Sequence, residues 1–261
     1  MKDEYILNIK GITKEFPGVK ALDNVSIQVK RGTIHGLVGE NGAGKSTLIK
    51  VLAGIYQPNA GELVLDGKVM HFHAPVDAKI EGISVVHQEI KLAETLTVAE
   101  NMFLGNPVMK GRLVDWKKMR ERAKEIVEEL GMDIDVNEVV ASLSVAKKQI
   151  VEIMHAINAN SKILIMDEPS AVLTDRELAV MFQIVKQLRE KGITIIYISH
   201  RLEEVFELCD NISVLRDGQH IKSMPTSELS RQDLINMMVG REMGQEYPKE
   251  PGTIGDVILE V

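Results

Sequence analysis

The sequence predicts an α/β fold in which a largely parallel sheet is wrapped by helices, and three observations carry that reading. Compact apolar runs at residues 34–38, 163–166 and 193–198 suit strands buried on both faces, as parallel strands are. Each run leads into a polar turn and then a stretch with helical apolar spacing. With 261 residues, 44% hydrophobic and 26% charged, the chain can build a sizeable globular core.

The elements follow in order. Residues 5–30 alternate apolar and polar side chains (Tyr5, Leu7, Ile9, then Val25, Ile27, Val29), the period of half-buried strands. The run 34–38 enters a glycine-rich turn. Residues 45–53 place Leu48, Val51 and Leu52 on one helical face, closed by Gly54. Asp66-Gly67, between Leu63-Val64-Leu65 and Val69-Met70, signals a hairpin. A short strand is expected at 83–86. From 90 to 157 no long strand is evident, and Trp116, Met119, Ala123, Ile126 and Leu130 recur at spacings of three and four before Gly131. This stretch reads as a helical insertion. Thr174-Asp175-Arg176-Glu177 is a capping box opening a helix with Leu178, Met181, Val185 and Leu188 on its apolar face. Gly192 stops it before the strand at 193–198. Cys209 falls into a helical apolar pattern with Leu202, Val205 and Phe206, as a small core residue would.

Residues 257–261 repeat the pattern of residues 5–9 after a stretch containing Pro, Gly and Lys at 248–255. The expected organisation is therefore one module over 1–247, with its helical part at about 90–157. Residues 248–261 would be a linker and the first strand of a second copy, the alternative being an ordinary frayed tail.

Composition also excludes. No apolar stretch approaches the ~18 residues of a membrane span, and the start of the chain has no signal-peptide core. A single cysteine rules out an internal disulfide framework and suits a reducing compartment. The net charge of −7 argues against nucleic acid as a partner. The basic run at 110–122 is balanced by the acids of 121–129 and reads as a solvated helix face.

The segment Gly39-Glu40-Asn41-Gly42-Ala43-Gly44-Lys45-Ser46 fits G-x-x-x-x-G-K-[ST] between an expected strand and an expected helix. Glycines let successive N–H groups converge on one anion, and the helix N-terminus adds its dipole. Lys45 would reach the outer phosphates and Ser46 would offer a hydroxyl to Mg²⁺. Average residue frequencies produce such a match by accident in about one chain in a hundred. The run 163–166 ends in Asp167-Glu168, acids delivered to the carboxyl edge of the sheet, where open α/β proteins bind ligands. Alone, paired acids at a strand end are usually a solvated turn. With a phosphate loop upstream, Asp167 can hold Mg²⁺ and Glu168 can act as a base on water. His200 after the 193–198 strand, Gln88 after 83–86 and Phe16 before Pro17-Gly18 each admit a bland reading as cap, loop residue or core.

Their order is more specific. Across nearly its whole length the chain resembles the ABC ATPase family, a P-loop NTPase core with an antiparallel β subdomain and a helical insertion. The resemblance makes Phe16 the adenine-stacking aromatic, Gly39 to Thr47 the Walker A loop and Gln88 the Q-loop glutamine, a ligand for Mg²⁺ as well. It makes Asp167 and Glu168 the Walker B acids, residues 170–174 the D-loop, and His200 the switch histidine facing the γ-phosphate. The strings ITKEFPGVKALDNVSI, VHQE, LTVAENMFLG, IMDEPSAVLTDRE, ISHRLEEVFELCD and MMVGREM are similar to the tandem-module ATPases of ribose, galactose and xylose importers. That similarity implies ATP and Mg²⁺, and a cytoplasmic position on the inner face of the membrane. It also implies a membrane permease, a second ABC module and, indirectly, an extracytoplasmic sugar-binding protein. The signature segment departs from the family: Leu143-Ser144-Val145-Ala146-Lys147-Lys148-Gln149 carries Ala146 where the family has its second glycine, and Lys147 where it has a polar or acidic residue. Ser144 remains to serve the nucleotide of the opposite module. Two other readings stay open: a soluble ABC ATPase outside transport, and a regulatory half that holds ATP with little turnover.

Overall fold

In the computed structural model, residues 4–240 are described except for positions 160 and 172, so the repeat noted at 257–261 lies outside the described residues. The chain runs β1 (Tyr5–Phe16), β2 (Val19–Lys30), β3 (Ile34–Val38), α1 (Lys45–Leu52), β4 (Ala60–Leu65), β5 (Lys68–Met70), α2 (Pro75–Glu81) and β6 (Ile83–Val86). Next come α3 (Val98–Met102), β7 (Met109–Lys110), β8 (Leu113–Val114), α4 (Trp116–Glu129) and α5 (Val145–Asn158). It closes with β9 (Ile163–Asp167), α6 (Asp175–Glu190), β10 (Thr194–Ile198), α7 (Leu202–Leu208), β11 (Asn211–Arg216), β12 (Gln219–Pro225) and α8 (Arg231–Val239).

Six strands form the central sheet in the order β12-β11-β3-β10-β9-β6, parallel except for β12, which returns antiparallel on β11. A second, antiparallel sheet has the order β2-β1-β4-β5. Strand alternation explains why β9 and β10 carry apolar residues on both faces. On β9, Ile163 and Ile165 pack into the core shared with the antiparallel sheet and α1, while Leu164 and Met166 pack into the core built by the later helices. On β10, Ile196 and Ile198 take the first side, Ile195 and Tyr197 the second. A strand with two covered faces is mostly apolar, and the buried polar residues it keeps, such as His35 and Thr194, have hydrogen-bond partners.

Helices α3, α4 and α5 intervene between β6 and β9, where the sequence places its helical insertion. Three details differ. The insertion also holds a small hairpin, β7 with β8, so part of the basic 110–122 run is a hairpin, not a helix face. Trp116 opens α4 and is 49% exposed, whereas Met119, Ala123 and Ile126 are buried. Its place at the helix start, before the apolar stripe settles onto the core, accounts for this. Cys209 lies just past α7 in extended conformation. It is buried against Gly36, where a β-carbon would meet its Sγ at 3.0 Å. Burial pushes the thiol well above its usual range, which suits a core residue.

Candidate functional site

Neighbouring parallel strands β3, β10, β9 and β6 deliver their carboxyl ends to one edge of the sheet. After β3 comes the loop Gly39 to Ser46, after β9 comes Glu168, after β10 His200, and after β6 Gln88. Sheet order thus gathers segments far apart in sequence.

The loop fits closely among its neighbours. A β-carbon on Gly39 would lie 2.2 Å from the Leu215 carbonyl oxygen, and one on Gly44 would lie 2.7 Å from that of Ala21. Gly44 also has φ 101° as it caps α1, a conformation that side chains disfavour. Ala43 is buried, Thr47 is half-buried, and Glu40, Asn41, Gly42 and Ser46 face outward. Lys45 is largely buried, and its Nζ donates to the carbonyl oxygens of Gly39 at 2.7 Å and Glu40 at 3.1 Å. The ammonium is thereby folded back over the loop it would share with phosphate. Burial pulls its pKa below the usual lysine value, while the negative charges of Glu168 and Asp167 oppose that shift.

Asp167 ends β9 opposite Ile198 of β10. Burial raises its carboxyl above the ordinary range, Glu168 raises it further, and Lys45 and Lys50 counteract both. Glu168 has φ 49°, uncommon for a side-chain-bearing residue. Its amide donates to the Ile198 carbonyl at 3.0 Å, which secures the bend. Its Oε2 lies 3.3 Å from His200 Nδ1. Lysine, two acids and histidine are therefore brought together.

Phe16 closes β1 in the hairpin whose β2 strand, through Ala21, touches the phosphate loop. Its ring meets Tyr56 edge-on at 5.2 Å, with Lys14 Nζ 5.2 Å from its centroid. Gln88 is exposed at the end of β6. Ser144 does not join this cluster: its Oγ accepts from the Lys147 amide at 3.3 Å and caps α5. It lines a groove of about 230 Å³ with Ala146, Arg176 and Glu177.

Sequence reasoning missed several residues around the site. Lys50 acts on Asp167, and Tyr56 supports Phe16. Glu152 of α5 accepts from the Lys91 amide at 2.5 Å, just beyond Gln88. Glu204, on the first turn of α7, is 2% exposed. An acid beside Val205 and four residues before Leu208, within the apolar stripe of a short helix, was the available signal for Glu204.

A phosphate loop at a strand-to-helix turn, with two acids and a histidine at the same sheet edge, defines a nucleotide-binding P-loop module of α/β type. The ABC transporter family pattern matches residues 22–171. A putative ribose/galactose/methyl galactoside import ATP-binding protein of Hahella chejuensis is 48% identical over 99% of this chain and 50% of its own length. The galactose/methyl galactoside import ATP-binding protein of Escherichia coli is 49% identical over 99% and 51%. The xylose import ATP-binding protein of Geobacillus kaustophilus is 47% identical over 98% and 51%. Among solved structures, a nucleotide-free ATP-binding cassette from an ABC transporter superposes with TM-score 0.78 at 30% identity, covering 90% of this chain and 95% of that one. An ATP-binding cassette in its ADP conformation gives TM-score 0.80 at 29% identity, covering 92% and 100%. The chain belongs to the ABC transporter family. It spans about half the length of the curated relatives it matches.

Proposed function

We propose that this chain is an ATP-binding and ATP-hydrolysing module that energises import of a monosaccharide through a separate membrane permease. The observation that carries the ATPase reading is the meeting of Lys45, Asp167, Glu168 and His200 at the mouth of the glycine loop. Sugar import rests on the names and 47–49% identity of the relatives above.

In this reading ATP lies along the loop, with its adenine against Phe16 and its phosphates over the amides from Gly39 to Thr47. Lys45 leaves the Gly39 and Glu40 carbonyls for the outer phosphates. Glu168 takes the proton of the attacking water, and His200, already beside it, faces the γ-phosphate. The donor set suits Mg²⁺: the Ser46 hydroxyl is exposed, and Asp167 is a half-buried carboxylate next to a second acid, Glu168. Ser46, Asp167 and Gln88 would hold the ion, which neutralises phosphate charge when bound.

The module spans 1–247, its helical part 90–157, and residues 248–261 lead to a second module. Ser144 then serves the nucleotide held by that second module. Among the described residues no helix is long and apolar enough to cross a membrane. In this reading the permease holds the chain at the inner face of the membrane. A cavity of about 280 Å³ beside the Gln88 segment, lined by Lys79, His87, Leu104, Glu152 and His155 among others, suits a cytoplasmic loop of that permease. Exposed Ile55, Val76, Ile80 and Leu104 lie on or near the same elements. A sugar-binding protein outside the membrane would act only through the permease.

Cross-linking tests the assignment. Probes at positions 89–97 should capture the permease, and adding permease should raise ATP turnover. Cross-links confined to Asp66 or Asp217 would contradict it.

A further inference from the structure

Glu204 has no part in the catalytic cluster, yet among the described residues it is a buried acid bonded to three hydroxyls beside it. Its Oε2 accepts from three hydroxyls: Ser170 Oγ at 2.7 Å, Ser199 Oγ at 2.8 Å and Tyr197 Oη at 2.9 Å. An oxygen that receives three hydroxyl protons serves only as an acceptor. Its Oε1 accepts no hydrogen bond among the described residues but faces Arg201 Nη1 at 3.3 Å. Burial, and secondarily the charge of Glu204, drives the Tyr197 phenol far above its ordinary range, so it remains a donor.

The three donors come from different elements. Tyr197 is in β10 and is fully buried, so it anchors the carboxylate to the rigid sheet. Ser170 follows Glu168 through Pro169, and Ser199 directly precedes His200. A single oxygen thus holds the turn after β9 and the turn after β10. Those two turns carry the groups that meet at 3.3 Å, Glu168 Oε2 and His200 Nδ1. The His200 side chain is 57% exposed, and Glu168 stands on a left-handed backbone bend, so the placement of both depends on the turns that carry them. The Ser199 Oγ also accepts from the Arg201 amide at 3.0 Å, which ties the start of α7 into the same knot.

We propose that Glu204 is a positioning residue for hydrolysis, fixing the separation of Glu168 and His200 by gripping Ser170 and Ser199 together. It acts through those two turns, its partners being Ser170, Tyr197, Ser199 and Arg201. The proposal rests on the reading of Glu168 and His200 given above.

Because Glu204→Ala leaves three buried hydroxyls unpartnered and threatens folding, the decisive variants are Ser170→Ala and Ser199→Ala. Each removes one donor and leaves the carboxylate two. Single-turnover ATP hydrolysis and ATP binding are measured for the chain at high protein concentration. The double serine variant should bind ATP within about twofold of wild type and hydrolyse it roughly 10- to 100-fold more slowly, the cost of a misplaced catalytic pair. In a His200→Ala background the same serine changes should cause no further fall, because the separation they fix no longer matters. A purely structural knot would instead lower binding and hydrolysis together and act equally in both backgrounds; that result overturns the proposal, as does an unchanged rate in the double variant. Glu168→Gln runs alongside: if it turns over like wild type, the site reading itself fails and this proposal with it. Loss of turnover in Glu168→Gln beside indifferent serine variants defeats the positioning role alone.

Discussion

At Glu168 the chain accepts φ 49°, a conformation that costs a glutamate on the order of 1 kcal/mol. The hydrogen bond from its amide to Ile198 holds that bend, and the bend sends its carboxylate toward His200 and Lys45. His35 shows another local cost. It lies buried on β3, with Nε2 2.7 Å from Ser213 Oγ and Nδ1 unpartnered among the described residues. Burial, assisted by His220, lowers its pKa to about 4. An unfolded histidine titrates near ~6.5. Between those values the unfolded chain binds a proton that the folded chain refuses, so stability falls as pH drops through that window. The loss attributable to His35 is about 3 kcal/mol once pH is below about 4. Denaturant midpoints should therefore decline more steeply with acidification in wild type than in His35→Gln, and parallel declines would contradict the assignment.

Among the elements, those whose sequence carries both a period and a stop were legible. The Thr174 box is present as read: Thr174 Oγ1 accepts from the Glu177 amide, and the Glu177 carboxylate accepts from the Thr174 amide at 2.9 Å. Met181, Val185 and Leu188 are buried below it. The Asp66-Gly67 hairpin joins β4 to β5. No strand is read from the sequence over residues 211–225, although Asp217-Gly218 between β11 and β12 carries the same signal as Asp66-Gly67. Both aspartates have φ 50°, and both glycines have φ near 75°, the paired left-handed geometry of a tight hairpin turn. The hairpin β7–β8 was beyond reach because strands of two residues establish no period. The site divides in the same way. The glycine loop and Asp167-Glu168 are contiguous motifs tied to strand ends. Glu204, Tyr197, Ser170 and Ser199 meet only through sheet order and α7, which no spacing along the chain reveals.

At the scale of the whole molecule, the glycine loop and Ser144 serve different ends. Lys45 and its neighbours form one cluster, and Ser144 lies at the start of α5 with no contact to it. In the proposed reading a nucleotide is enclosed only when another module supplies the segment that Ser144 begins. The isolated chain should then bind ATP yet hydrolyse it slowly, since self-pairing offers Ala146 and Lys147 where the family carries a glycine and a polar residue. Ala146→Gly with Lys147→Gln should raise turnover of the isolated chain, and the gain should steepen with protein concentration because pairing is the step improved. No gain at any concentration would mean that these two residues do not limit the chain.

The central claim is that the sheet edge binds ATP through Lys45 and hydrolyses it through Glu168, and paired measurements on Glu168→Gln test it most directly. The amide preserves shape and hydrogen bonding but cannot take a proton. ATP affinity should stay near wild type while hydrolysis falls by about 10²–10⁴-fold, whereas Lys45→Ala should weaken binding and abolish turnover. Glu168→Gln that hydrolyses ATP at the wild-type rate, or that loses ATP binding together with turnover, would contradict the account.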